Sequence, residues 1–441
     1  MPAPSRRSVL ASLAALPTVG ALGACTGGGT ASRRTGKATR ITFWSALRGS
    51  QEVVDAFNRT HDRIQVDFEQ VPAGAQGGYA KLSNAARAGN APDIATIEYP
   101  QLPGFAIDGV ARDLTGMMSD KLRRALLPEA LQLTTFDRKV FAVPLDVEPM
   151  VMHYRTDLFE QYGLEVPRTW DEFEETAEQV GRKAPGRRMA LLPTNGMTNV
   201  AAFCWQAGGR WFDIDGDTWQ LSLTDAPTRK VAGYWQRLYD RELVFMNAAD
   251  SQRSTAQIAR GEVVSRLTGA WDAGAQMNAQ PGQRGKWRIA PLPQWDTERP
   301  VTGTHGGSTF VVTKDSQVPE AALEFIAWQV SHPDALRSRL SSGASSQYPA
   351  APGLVPVGRK AFDRAYYSGQ DIYRLFDEQA RQIAPGWLWG PRMTATQKVV
   401  EDALARTAGG QGTVLDALRT GQRGTMPDLR AMGLNAVERT A

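Results

Sequence analysis

The residues of this chain best suited to chemistry are flat rings and carboxylates placed where regular structure stops. Twelve tryptophans occur in 441 residues, and Trp44, Trp271, Trp387 and Trp389 fall in stretches that read as loops, where a tryptophan serving only as core filler is less expected. Glu98 and Asp146 each follow an apolar run, where an ionised carboxylate is unfavourable unless it meets a hydroxyl or a cation. Ring faces suit apolar C–H groups and carboxylates accept from hydroxyls. Together they suit a polyhydroxylated ligand with an apolar face, as a sugar is. The segment IAPGWLWGPR at 383–392 is the sharpest instance. Its two glycines and two prolines cannot continue a helix, so Trp387 and Trp389 are expected in a loop, as stacking platforms or as anchors fixing that loop to the core.

Other candidates have equally plain alternatives. Glu98 contacts a ligand, or is a solvated strand end or a helix cap, and Asp146 contacts a ligand or forms a hinge salt bridge. Trp44 and Ser45 occupy a strand-to-helix turn that can face a cleft. Gly307 and Ser308 let backbone approach a ligand closely or simply make a tight turn. Arg392 pairs with a carboxylate or clamps a ligand oxygen. Asn195 and Trp205, near an expected helix start, are weaker candidates.

The elements that must position these residues follow from hydrophobic spacing. Strands are expected at 39–45, 64–71 and 92–98, with helices at 51–60 and 79–88 between them. Strands alternating with helices imply parallel βαβ units, hence an α/β architecture whose ligands bind at strand carboxyl ends, where Trp44, Ser45 and Glu98 stand. The proline-restricted run 142–155 is extended enough to carry the chain between two lobes. Thr169 is expected to cap a helix with acids in its first turn. The glycine-rich stretch 303–312 approaches another strand as a return crossing, and amphipathic helices are expected at 319–330 and 397–407.

The N-terminus reads as an export signal over 1–24: Arg6 and Arg7, a short apolar run broken by Pro17 and Gly20, then small residues before Cys25. SRRSVL resembles a twin-arginine signal, and LGAC resembles a bacterial lipobox, which would make Cys25 the lipidated N-terminus. Residues 25–39 are too polar and glycine-rich to build a core and are expected to be a flexible tether. The formal net charge is +4, and hydrophobic residues make up 42%. No dense basic stripe points to nucleic acid. Cys204 is the one cysteine left, so disulfides are not expected. The four histidines are far apart in sequence, and neither a metal nor a cofactor is expected.

Several ordered segments resemble the extracellular solute-binding proteins, family 1, of bacterial carbohydrate ABC transporters: ITFWS at 41–45, APDI at 91–94 followed by Glu98, YRTDLF at 154–159, VPRTWDEF at 166–173, GEVV at 261–264, GAW at 269–271, and Gly306-Gly307 before the returning strand. The resemblance implies a two-lobed periplasmic-binding-protein-like fold with an N-terminal lobe at 40–145 and 307–360 and a C-terminal lobe at 146–306 and 361–441. It further implies a monomer that is not an enzyme, closing on a carbohydrate and delivering it to membrane permease subunits. Two other readings stay open: a binder of a glycerophosphodiester or another polar metabolite, and a lipid-anchored exported glycosidase using Glu98 and Asp146 as acid and base.

Overall fold

A computed structural model of the chain describes residues 38–341, 343 and 345–439. The signal, Cys25 and the tether up to residue 37 lie outside the described residues. Thr39, counted with the tether, already pairs with Ile64.

The first strand, Thr39–Ser45, alternates inward and outward. Ile41 and Phe43 are wholly buried. It lies parallel to Ile64–Gln70 on one side and to Ile94–Glu98 on the other. The fourth strand, Ser308–Val312, returns from far along the chain and runs antiparallel to the third, with Ser308 opposite Glu98. Val143–Pro144 closes the far edge. All five residues of Ser308–Val312 are buried, as expected of a strand packed on both faces. The helix Ser50–Thr60 lays Val53, Val54 and Phe57 on one face of this sheet. There Phe43 meets Phe310 and Phe325 edge-on, at 5.6 and 5.7 Å. The helix Gly78–Arg87 buries Tyr79 and Leu82, which join a smaller core with Ile97 and Phe105.

A second group of sheets follows. Met150–Arg155 pairs antiparallel with both Ser265–Gly269 and Trp287–Pro291, and Ala190–Pro193 lies parallel to Val244–Asn247. Their core is aromatic. Trp170 touches Phe173, Phe203, Tyr234 and Trp295 at 5.4–5.6 Å. Thr169 caps the helix Trp170–Lys183 by accepting from the Glu172 amide. The expected C-terminal helix is longer than its periodicity suggests, Met393–Ala408, and its neighbour Val414–Ala431 packs so closely that a Cβ on Gly421 would come within 2.3 Å of Val400. Cys204 is buried and unpaired, and burial pushes its thiol pKa well up.

Three segments run side by side where the two groups meet. The Met150 amide donates to the Gly303 carbonyl and the His305 amide to Glu148. On the other side Val147 donates to Tyr348, and Ala350 to Leu145. No helix among the described residues is long and apolar enough to cross a membrane.

Candidate functional site

At the carboxyl ends of the first and third strands lies a cavity of about 140 Å³, walled by Trp44, Leu47, Pro72, Tyr79, Glu98 and Ser308 among others. The Tyr79 hydroxyl donates to Glu98 Oε2 at 3.0 Å and accepts from the Glu98 amide at 3.2 Å. Glu98 keeps exposed surface, yet it stands in a concave wall with protein on most sides. That crowding raises its carboxyl pKa, and the Tyr79 hydrogen bond opposes the rise. It is reachable from the cavity, where an added hydroxyl could donate to it beside the Tyr79 hydroxyl.

Ser45 does not present its hydroxyl. Its Oγ is fully buried and accepts from the Leu47 amide, Ser50 Oγ and Thr96 Oγ1 at 3.0, 3.2 and 2.9 Å. It fixes the turn that carries Trp44.

The crossing segments adjoin the cavity through Ser308. Asp146 accepts from the Ser308 amide through Oδ1 at 2.6 Å, and the Tyr99 hydroxyl donates to its carbonyl at 2.9 Å. Gly306 and Gly307 take φ of 91° and 99°, a region where side chains are strained. A Cβ at 307 would also come within 2.7 Å of the Tyr99 ring. Burial pushes the Asp146 carboxyl up to about 7. The Ser308 amide and the Arg339 charge oppose this, and the Glu98 charge adds to it. Arg339 is itself buried, donates to Gln329 Oε1 at 3.1 Å, and is held down to about 10 by that burial.

Glu148 was missed in sequence. It is 1% exposed and neither carboxylate oxygen makes a hydrogen bond. Burial and the neighbouring Asp146 push its carboxyl well up, while the Trp271 and Tyr348 amides lie near enough to oppose this. The available signal was spacing: in an extended run, residues two apart share a face, so Asp146 and Glu148 had to project together.

Trp271 stands on the same crossing from the second group of sheets. It precedes the helix Asp272–Ala279, and its Nε1 donates to the His305 carbonyl at 2.9 Å. The indole lies over Gly269 and Gly306, where a Cβ would approach to 2.9 and 3.0 Å. Trp271, Glu148, Asp146, Ser308 and Glu98 thus follow one another along the crossings.

The remaining candidates lie elsewhere. Trp387 and Trp389 are each 3% exposed. Trp387 stacks on Trp205 at 5.1 Å and 8°, meets Trp211 at 5.6 Å, and meets Trp389 edge-on at 5.2 Å. The loop is as expected, but its rings anchor it to the core and offer no platform. Trp205 sits at the end of the helix Met197–Gln206, not near its start, and donates to the Ala384 carbonyl at 2.6 Å. Asn195 spends its amide on Asp250 and on the Ala249 amide. Arg392 lines a separate surface groove with Asp108 and Lys314. No group of three or more metal-ligating side chains occurs among the described residues.

The profile of the bacterial extracellular solute-binding protein family matches residues 45–335. The lactose-binding protein of Rhizobium radiobacter is 30% identical over 202 residues, 44% of this chain and 46% of that protein, so the match spans under half of that relative's length. The arabinooligosaccharide-binding protein of Bacillus subtilis is 26% identical over 317 residues, 68% of this chain and 72% of its own. Among solved structures, the galacto-N-biose-/lacto-N-biose I-binding protein of an ABC transporter from Bifidobacterium longum, in complex with lacto-N-biose, superposes with a TM-score of 0.80 at 26% identity, covering 91% of this chain and all of that one. With two thirds of its length inside the family profile and a fold shared with a solved two-lobed sugar binder, this chain belongs to the bacterial extracellular solute-binding proteins.

Proposed function

We propose that the chain captures a sugar or oligosaccharide between two lobes and delivers it to the permease of an ABC importer. The observation that carries this reading is Glu148: a buried carboxyl with neither oxygen hydrogen-bonded, beside Asp146 and the Trp271 amide. Leaving such a group without donors is strongly unfavourable, and the hydroxyls of a sugar supply donors while its C–H face meets an indole. Trp44, Glu98, Asp146, Glu148, Trp271, Gly307 and Ser308 form the contact set, and Ser45 supports it from behind. The lobes are assigned as 40–145 with 307–360 and 146–306 with 361–441. The paired crossings act as the hinge, and ligand favours the closed form through contacts made only there. The known relatives bind lactose and arabino-oligosaccharides, which supports a saccharide of two or more units.

A glycerophosphodiester fits less well, because its phosphate would meet three acidic side chains whose ionisation an added negative charge disfavours further. The family and its neighbours are binding proteins, which supports a binder over a glycosidase. The family is extracellular, so the chain is exported, and the LGAC sequence supports anchoring to the outer face of the cell membrane through Cys25. The protein works as a monomer, without nucleic acid.

Melting the protein with lactose, lacto-N-biose, arabino-oligosaccharides and glycerophosphocholine tests the reading. At least one saccharide should raise Tm and be recovered intact, because ligand binds only the folded state. Cleavage products, or stabilisation by the phosphodiester alone, would overturn it. For the anchor, Cys25→Ala should move the folded protein from the membrane fraction to the soluble one. A mutant still bound after a salt wash would show that something else holds it.

A further inference from the structure

Trp44 leaves the first strand directly beside Glu69 on the second, its register partner. It points away from the Phe43 core, toward the helix Gly78–Arg87. From that helix the Lys81 ammonium stands 4.2 Å from the centroid of the indole, and it also forms an ion pair with Glu69. Trp44 lines the cavity whereas Lys81 and Glu69 do not, so the pair contacts the ring without itself lining the space a ligand would fill. We propose that Lys81, held by Glu69, is a positioning residue that fixes the Trp44 ring as a binding platform. This rests on the saccharide reading above.

The reason lies in what the pair can and cannot do. The Lys81 and Glu69 side chains are 37% and 51% exposed, and ion pairs this wet contribute little to folding. A ring at a strand end, however, turns about two side-chain bonds, and a ligand that stacks on it must first bear the loss of that freedom. An ammonium attracted to one face of the indole, itself tied to the neighbouring strand, removes most of the freedom before the ligand arrives. A signature follows that packing alone would not produce. An uncharged sugar has no charge to screen, yet its affinity for this site depends on salt, because at 1 M ionic strength the exposed pair behind the ring is screened within about 3 Å.

The experiment uses the full chain and the variants Lys81→Met, Lys81→Arg and Glu69→Gln. The first readout needs no ligand: the ¹⁵N-indole resonance of Trp44, assigned by its loss in Trp44→Phe. It should shift and broaden in Lys81→Met and in 1 M NaCl, and return toward the parent position in Lys81→Arg. The second readout is affinity for lactose and lacto-N-biose by calorimetry at about 0.05 M and 1 M NaCl. The parent should lose about two- to fivefold across that range, and Lys81→Met should be weaker by the same factor and insensitive to salt. Glu69→Gln should fall between them. An unmoved Trp44 resonance in Lys81→Met, or equal salt sensitivity in that variant and the parent, overturns the proposal. If neither sugar binds, the saccharide reading fails for those probes while the indole resonance still decides whether Lys81 positions the ring.

Discussion

The end of the first strand and the loop at 383–392 both hold tryptophan next to small and turn-forming residues, yet their rings end in opposite environments. Trp44 stands near the carboxyl end of an inner strand, half-buried, with a cavity on one side. Trp387 is enclosed by Trp205, Trp211 and Trp389. Both stretches put tryptophan within a few residues of glycine and small residues. What differs is the layer behind each ring. A strand end in an α/β sheet opens on the crevice between layers, whereas a loop crossing a helical surface covers it. Whether a tryptophan is left open to a cavity or enclosed is therefore set by its position in the topology, and loop chemistry alone does not decide the matter.

Trp387→Ala should break the contrast most visibly. Removing a ring from a packed aromatic cluster costs about 3–5 kcal/mol, so chemical denaturation should show a large stability loss while the folded fraction keeps its sugar affinity. A variant of normal stability and lost affinity would place Trp387 with Trp44 and erase the distinction.

Asp146→Asn is expected next, through pH. The folded carboxyl titrates near 7 against an ordinary value of 3.8. Below pH 4 both states are protonated and the group has no effect. Between pH 4 and 7 the unfolded chain ionises first, so the folded state loses stability as pH rises, and the loss is complete above 7. Asn at this position keeps an acceptor for the Ser308 amide and removes the charge. It should therefore stabilise the protein by about 2–4 kcal/mol at pH 8 and by almost nothing at pH 4. Denaturation at the two pH values gives the answer, and a variant equally stable or weaker at pH 8 would remove Asp146 from the buried crossing.

The smallest effects sharpen the open side. Trp271→Ala and Glu98→Gln should each weaken the best saccharide by about ten- to a hundredfold, about 1–3 kcal/mol, with Tm of the ligand-free protein little changed. Parent-like affinity in both would mean that the cleft lies elsewhere.

The N-terminal lobe was legible because its pattern is periodic. Alternating Ile41 and Phe43 and the helical spacing of Val53, Val54 and Phe57 fix which faces are buried, and those faces fix the strand ends carrying Trp44 and Glu98. Glu148 was hidden because its significance depends on three segments distant in sequence, 145–149, 302–305 and 348–350, lying side by side. Ser45 looked like a ligand donor until Ser50 and Thr96 claimed its oxygen. Trp387 and Trp389 were ambiguous for the same reason: nothing in a loop sequence says which remote side chains lie beneath it.

Cys204 gives this architecture a practical property. Enclosed in the helix Met197–Gln206 and held protonated by its burial, its thiol is poorly reactive, since the thiolate is the nucleophile. In a chain carrying Cys25→Ala it is also the sole cysteine. A cysteine introduced on the rim of the cleft can then be coupled to a fluorescent dye without competition, and the labelled protein becomes an optical reporter of whichever solute closes it.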